Sequence, residues 1–131
     1  MSTVAIKKSD KPINSIRKKI INKLALKIER NLIFLETNDI VFISRKNRKT
    51  IIYATDGNAI YINETLENLE QRLSQETFFR SHKSYIINLD KVVEIQPWSR
   101  GSYLVIFSKT RNVAYMTADK YKKLQETLNL E

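Results

Sequence analysis

Phe78-Phe79-Arg80-Ser81-His82-Lys83-Ser84-Tyr85-Ile86-Ile87-Asn88 places a short run of hydrogen-bond donors between two apolar flanks. The donors are Arg80, His82, Lys83 and Ser84. Because both flanks favour burial, the pattern predicts a polar turn that the protein core holds in a defined position. A rigid turn that presents cationic and hydroxyl donors is better suited to binding a nucleic-acid groove bordered by phosphates than to catalysis.

Positive charge is concentrated near the start of the chain. The formal charge of all 131 residues is +9. Residues 1–30 contain nine Lys or Arg against two acids, which makes +7 and leaves +2 for residues 31–131. A basic chain favours polyanionic partners such as DNA, RNA or an anionic membrane surface. Solubility alone is the competing explanation for the charge.

Length and composition predict one globular domain. No apolar run approaches the roughly 20 residues that span a bilayer, and the start does not resemble a secretory signal. Cysteine is absent, so disulfides are excluded, and we expect a cytoplasmic protein without a membrane span.

The residues needed for common enzyme chemistries are missing. The chain has no Cys and a single His, so it cannot assemble a zinc site or a Cys-His pair. Arg80 and Lys83 disfavour the imidazolium that His82 would form as a general base. The two glycines, Gly57 and Gly101, cannot make a glycine-rich phosphate loop. We therefore expect no catalytic residue, no cofactor and no metal site.

Residues 1–22 are predicted to be a basic N-terminal extension, helical from about residue 13, and residues 23–131 to be a single domain. Alternating apolar residues predict strands near residues 24–28, 32–35, 40–43, 50–54, 59–62, 92–98, 102–107 and 112–116. The fold class is therefore mainly β with short helices.

Two helices are expected within the domain. Asn63 is predicted to cap the first, which buries Leu66, Leu69 and Leu73. Asp119 is predicted to begin the second, with Tyr121, Leu124 and Leu128 facing inward. Trp98 and Tyr103 are expected in the core or in cross-strand pairs.

Basic loops recur at the ends of predicted strands. They are Arg45-Lys46-Asn47-Arg48-Lys49, Arg80–Ser84, and the region around Lys109, Arg111 and Lys120. One such cluster is usually a solvated turn, but their recurrence on a β scaffold favours nucleic-acid binding.

Phe79–Asn88 resembles the F-x-R-x-H-x-S-Y-hydrophobic-hydrophobic-N signature of the LytTR DNA-binding domain of bacterial transcription regulators. Asp39–Ile43 is similar to a D-I-x-Y-I strand of that family, and Thr65–Glu70 is similar to its helix. The resemblance covers roughly residues 24–130. It implies an elongated set of small antiparallel β-sheets, with loops that enter successive major grooves of DNA at paired repeats.

The resemblance also implies roles for individual residues. Lys49 and Lys83 would contact bases, since lysine can donate to guanine O6 and N7. Arg48, His82 and Ser84 would position the DNA backbone, and Arg80 would partly brace its loop. The family arginine of the third loop is absent, so Lys120 would contact phosphate. The complete predicted DNA-binding set is Arg45, Lys46, Asn47, Arg48, Lys49, Arg80, His82, Lys83, Ser84 and Lys120.

The implied partners are double-stranded DNA, a second copy on adjacent repeats, and an upstream receiver or sensor. The chain is then either a stand-alone regulator or the effector part of a longer protein. The main alternative is an interaction module whose basic amphipathic segment 13–28 docks on a partner protein or an anionic membrane. RNA binding is a third hypothesis.

Overall fold

The computed structural model describes residues 22–130, which contain ten β-strands and two α-helices. The helix expected from residue 13, and the rest of the N-terminal extension before Asn22, lie outside the described residues. The strands are β1 (Lys23–Ile28), β2 (Asn31–Glu36), β3 (Ile40–Lys46), β4 (Lys49–Ala54), β5 (Ala59–Ile62), β6 (Phe78–His82), β7 (Tyr85–Asn88), β8 (Val92–Ser99), β9 (Ser102–Phe107) and β10 (Ala114–Thr117). The helices are α1 (Leu66–Arg72) and α2 (Ala118–Thr127).

All strand pairs of the described chain are antiparallel, and they form three sheets. The central sheet has the order β5-β4-β3-β7-β6, and the two smaller sheets are β1-β2 and β10-β9-β8. The predicted mainly β fold with short helices is confirmed. Within residues 22–130, neither helix has the length and apolar character needed to cross a membrane.

The first core lies between one face of the central sheet, α1 and β1. Its buried side chains include Leu24, Leu26, Ile43, Ile52 and the three leucines predicted on α1. Thr65 caps this helix, because its side chain accepts a hydrogen bond from the backbone N–H of Asn68 at 3.2 Å. The prediction that Asn63 is the cap was therefore wrong by two positions.

The second core lies on the opposite face of the central sheet. There Phe42 stacks against Tyr53 and Phe107, with ring centroids 4.3 and 5.0 Å away. The third sheet and α2 complete this core through Val105, Met116 and Leu124, among others. Stacked and offset aromatic pairs add to the free energy gained from burial.

Two predictions about the C-terminal region were wrong, and a third was right only in part. Thr117 caps α2 by accepting from the N–H of Lys120, so Asp119 lies within the first helical turn. Leu128 follows the helix and is 54% exposed, whereas Tyr121 and Leu124 do pack against the second core. Trp98, predicted in the core or in a cross-strand pair, is 59% exposed and lies outside the core, but its ring does approach Tyr115 of β10, with centroids 6.4 Å apart.

Asn88 connects the end of β7 to the start of β3, and its replacement should destabilise the domain. The buried side chain donates from Nδ2 to the Ile40 carbonyl at 2.8 Å and accepts from the Asp90 N–H at 2.9 Å. Asn88→Ala should lower the free energy of unfolding by about 1–3 kcal/mol in urea denaturation, because a buried carbonyl loses its donor. Asn58→Ala, in an exposed turn, should change it by less than about 0.5 kcal/mol. Equal decreases in the free energy of unfolding for the two variants would show that the buried hydrogen bonds of Asn88 do not stabilise the domain.

Candidate nucleic-acid interface

The two basic segments predicted to bind DNA lie at the same end of the central sheet. β3 pairs with β7 in a register that places Ser44 opposite Tyr85. One step further along, the backbone N–H of Arg45 donates to the Ser84 carbonyl at 3.0 Å. The turn between β3 and β4 therefore adjoins the turn between β6 and β7, although the two are far apart in sequence.

The first basic turn is a tight hairpin. Lys46 pairs with Lys49, and Asn47 and Arg48 between them have φ values of 54° and 66°. Positive φ at both central positions is the pattern of a type I′ turn, whose twist matches that of the strands. Lys46, Asn47, Arg48 and Lys49 are all exposed.

Arg45 has a different role in this hairpin. Its Nη1 donates to Thr50 Oγ1 at 2.6 Å and to the Glu64 carbonyl at 2.8 Å. These two contacts tie the strand end to the segment that precedes α1. Of the five residues predicted in this cluster, Arg45 therefore anchors the turn, and the other four remain open to a ligand.

The second basic turn is held from beneath by Arg80, whose side chain is only 13% exposed. Its guanidinium contacts the carboxylates of Glu70 at 2.9 Å and Glu67 at 3.3 Å. It also donates to the His82 carbonyl at 2.9 Å and the Lys83 carbonyl at 2.5 Å. Arg80 therefore fixes the backbone of the turn, and its charge is already compensated by α1.

Contact with Arg80 favours the ionised form of the Glu67 carboxylate. A backbone hydrogen bond, followed by the hydrogen bond and charge of Arg80, lowers the pKa of Glu67 below its ordinary value. Lys83, by contrast, is exposed at the tip of the turn. Its ammonium makes no hydrogen bond or ion pair with any residue from 22 to 130.

His82 is a neutral side chain that shapes the turn. Its Nδ1 accepts a hydrogen bond from the Ser84 N–H at 3.0 Å, so the ring proton is on Nε2. The ring also meets Tyr85 edge-on, with centroids 5.6 Å apart. Burial, followed by the charges of Lys83 and Arg80, lowers the pKa of His82 below 6.5.

A groove of about 620 Å³ separates these turns from the third sheet. Its aromatic walls come from Phe42, Tyr53, Tyr85, Trp98 and Tyr115, and Lys46, His82 and Ser84 lie along one rim. Ser99 and Ser102 lie on the other side. The sequence analysis missed Trp98 as a surface residue, although its position directly before the Ser99-Arg100-Gly101 turn was a usable signal.

Lys120 lies on α2 and does not line this groove. It is half-buried in the first turn of α2, where the Ala118 N–H donates to the Gly101 carbonyl at 3.2 Å. Thr117 pairs with Ser102, which lines the groove. The structure therefore brings nine of the ten predicted residues together at one end of the central sheet, whereas Lys120 lies on α2, outside that sheet.

The chain belongs to the LytTr DNA-binding domain family, whose model matches residues 30–129. It is 32% identical over 91 residues to the sensory transduction protein LytT of Oceanobacillus iheyensis, covering 70% of this chain and 37% of that relative. It is 30% identical over 96 residues to the transcriptional regulatory protein LytR of a Staphylococcus aureus strain, covering 73% of this chain and 39% of the relative. The chain thus spans well under half the length of these relatives.

A solved structure shares the fold. A LytTr DNA-binding domain from Bacillus cereus superposes with a TM-score of 0.69 at 18% identity, over 83% of this chain and 98% of that one. At that identity, the similarity concerns the fold alone.

Replacement of Arg80 should loosen the second turn. Arg80→Ala removes a mostly buried donor from two carboxylates and two carbonyls, so the free energy of unfolding should fall by about 1–3 kcal/mol. Arg100→Ala, an equal change of charge in an exposed turn, should stay within about 0.5 kcal/mol. Urea denaturation of both variants measures the difference. An Arg80→Ala protein with the same free energy of unfolding as Arg100→Ala would show that Arg80 does not hold the second turn in place.

Protonation of His82 should destabilise the domain. Because the folded pKa lies below the ordinary value of 6.5, the unfolded chain binds the proton first as the pH falls. His82 therefore stabilises the fold above pH 6.5, and that contribution is lost as the pH falls below it. His82→Asn retains an acceptor near the position of Nδ1 but does not titrate there.

Unfolding free energies measured between about pH 8 and pH 5.5 should therefore decrease more for the wild type than for His82→Asn. His82 is the single histidine of the chain, so the difference reports one group. Parallel curves for the two proteins would contradict the assignment of a neutral, hydrogen-bonded imidazole.

Proposed function

We propose that this chain is a sequence-specific, double-stranded DNA-binding transcription regulator that contacts the major groove through its two basic turns. The observation that carries the proposal is the side-by-side position of the turns, which the β3–β7 pairing fixes. Membership of a DNA-binding domain family supports it, as do relatives named as regulatory and sensory transduction proteins.

Lys83 is the proposed base-reading residue. It occupies the tip of a turn whose backbone Arg80 and His82 hold, so its backbone presents the side chain from a defined position. A lysine presented in this way can donate to guanine O6 and N7 in the major groove. Ser84 and the Nε2–H of His82 would orient the turn against the adjacent DNA backbone.

Exposed cations of the first turn are proposed to contact phosphates. Arg48 is at the tip of the hairpin, and Lys46 lies on the rim of the groove. The base contact predicted for Lys49 remains untested, and its position beside β5 favours a backbone contact instead. Lys120 is proposed to contact a phosphate from the first turn of α2. Phosphate contacts supply affinity without reading sequence.

Two copies are proposed to bind paired repeats, and an upstream receiver or sensor is proposed to control the domain. Support for a controlling partner comes from the relatives, of which the chain covers 37% to 39%. Two copies on one face of the duplex would place repeat centres about one helical turn, or 10 base pairs, apart.

Loss of Lys83 should relax the sequence preference. With duplexes selected from a randomised pool, Lys83→Ala should weaken binding by about 1–3 kcal/mol and lose discrimination at one base position. Fluorescence anisotropy across single-base variants of the selected duplex measures both effects.

Lys91→Ala is the matched control, because Lys91 lies beyond the opposite end of β7 and contacts Asn38 at 3.3 Å. It should leave both affinity and preference unchanged. If about six phosphates are contacted, log K should fall against log salt with a slope near −5. Equal binding of all duplexes by the wild type would reduce the DNA role to charge alone, and preferential competition by single-stranded RNA would favour the RNA hypothesis.

A further inference from the structure

A small pocket of about 210 Å³ lies beside the first basic turn, on the side away from Lys83. Lys27 and Glu29 border it from the β1–β2 hairpin, and Lys49, Tyr61 and Asn63 border it from the central sheet. Of these residues, the sequence analysis predicted DNA contact for Lys49 alone. Lys27 and Glu29 also precede residue 30, where the family match begins.

The β1–β2 hairpin is fastened to the domain, so the position of Lys27 is defined. Leu24 and Leu26 on the inner face of β1 are each 1% exposed. The Ala25 carbonyl accepts a hydrogen bond from Arg72 Nη1 at 2.5 Å, and Arg72 also pairs with Glu64 next to α1. Lys27 follows on the outer face of the same strand, immediately before the turn at Glu29 and Arg30.

The pocket is rich in hydrogen-bond donors. The β4–β5 register pairs Ile51 with Tyr61, so Lys49 and Tyr61 lie on the same face of the central sheet. Asn63 follows β5 beside Lys49, and Tyr61 is 60% exposed. Neither lysine ammonium makes an ion pair or hydrogen bond among residues 22–130. Two lysines, a tyrosine and an asparagine therefore line one small pocket, and their side chains carry the kind of donors that bind a tetrahedral oxyanion.

We propose that this pocket binds a phosphate of the DNA backbone at the outer flank of the recognition site. The inference rests on the proposed DNA-binding function and adds Lys27 of the β1–β2 hairpin to the contacts of the two predicted turns. β5 and β7 are three strand spacings apart, or about 14 Å, so the pocket and Lys83 engage different parts of the duplex. Lys27 and Lys49 hold the phosphate, and the carboxylate of Glu29 limits the strength of this contact.

Lys27→Ala and Lys23→Ala form a matched pair that tests the proposal. Both lysines are exposed on the same face of β1, but Lys23 is at the other end and pairs with Glu36 at 3.6 Å. Binding of the full chain to a selected and a scrambled duplex is measured by anisotropy across a salt series. Lys27→Ala should weaken both duplexes by the same factor, about 3- to 10-fold near 0.1 M salt, and reduce the salt slope by about 0.9. Lys23→Ala should match the wild type.

A neutral methylphosphonate substituted for single flanking phosphates locates the contact. At one position outside the recognised bases, it should weaken the wild type and leave Lys27→Ala unaffected. Glu29→Gln should tighten binding to both duplexes. These two results support the site independently of any change in stability.

The proposal would be overturned if Lys27→Ala and Lys23→Ala had the same affinity and salt slope. It would also be overturned if Lys27→Ala lost affinity only for the selected duplex. The proposed DNA-binding function has a separate test: it would be contradicted if the wild type showed no sequence preference. A wild type that keeps its preference while Lys27→Ala changes nothing would overturn the phosphate site alone.

Discussion

The antiparallel pairing of β3 with β7 is the constraint on which the candidate interface depends. Bringing two distant segments together costs loop-closure entropy, which the burial of Phe42, Ile43, Ile86 and Ile87 offsets. The same register places the Arg45 N–H against the Ser84 carbonyl and so puts the two basic turns side by side. A shift of one residue would exchange the two faces of β7 and move its side chains into the wrong cores. Core packing and the geometry of the surface therefore have a common origin.

Cations that look equivalent in the sequence divide into two groups in the structure. Arg45 and Arg80 are partly buried and hydrogen-bonded within the domain: Arg45 ties the end of β3 to Thr50 and the Glu64 carbonyl, and Arg80 holds the backbone of the second turn. Lys46, Arg48 and Lys83 are exposed on the turns that these arginines support. Desolvated guanidinium groups need such partners, because burial of an unpaired charge is costly. The free lysines and Arg48 can then exchange hydration for phosphate or base contacts.

Sequence reasoning recovered most strands, because apolar alternation reports local structure directly. It also located the second basic turn between its buried flanks. It misplaced both helix caps by two positions, since Asn63 and Thr65, like Thr117 and Asp119, are all acceptable capping residues and packing selects between them. The saturation of Arg80 by α1 and the pocket around Lys27 were also beyond its reach. Both depend on contacts between elements that are separated by many residues.

The central claim is that DNA binds the end of the central sheet that carries the two basic turns. A titration of the ¹⁵N-labelled chain with a selected duplex, followed by amide chemical shifts, tests it most directly. The account predicts that the largest changes fall on residues 46–49 and 82–85, with little change at the opposite end, in residues 37–39 and 89–91. Changes concentrated at that opposite end, or confined to residues 1–21, would contradict it.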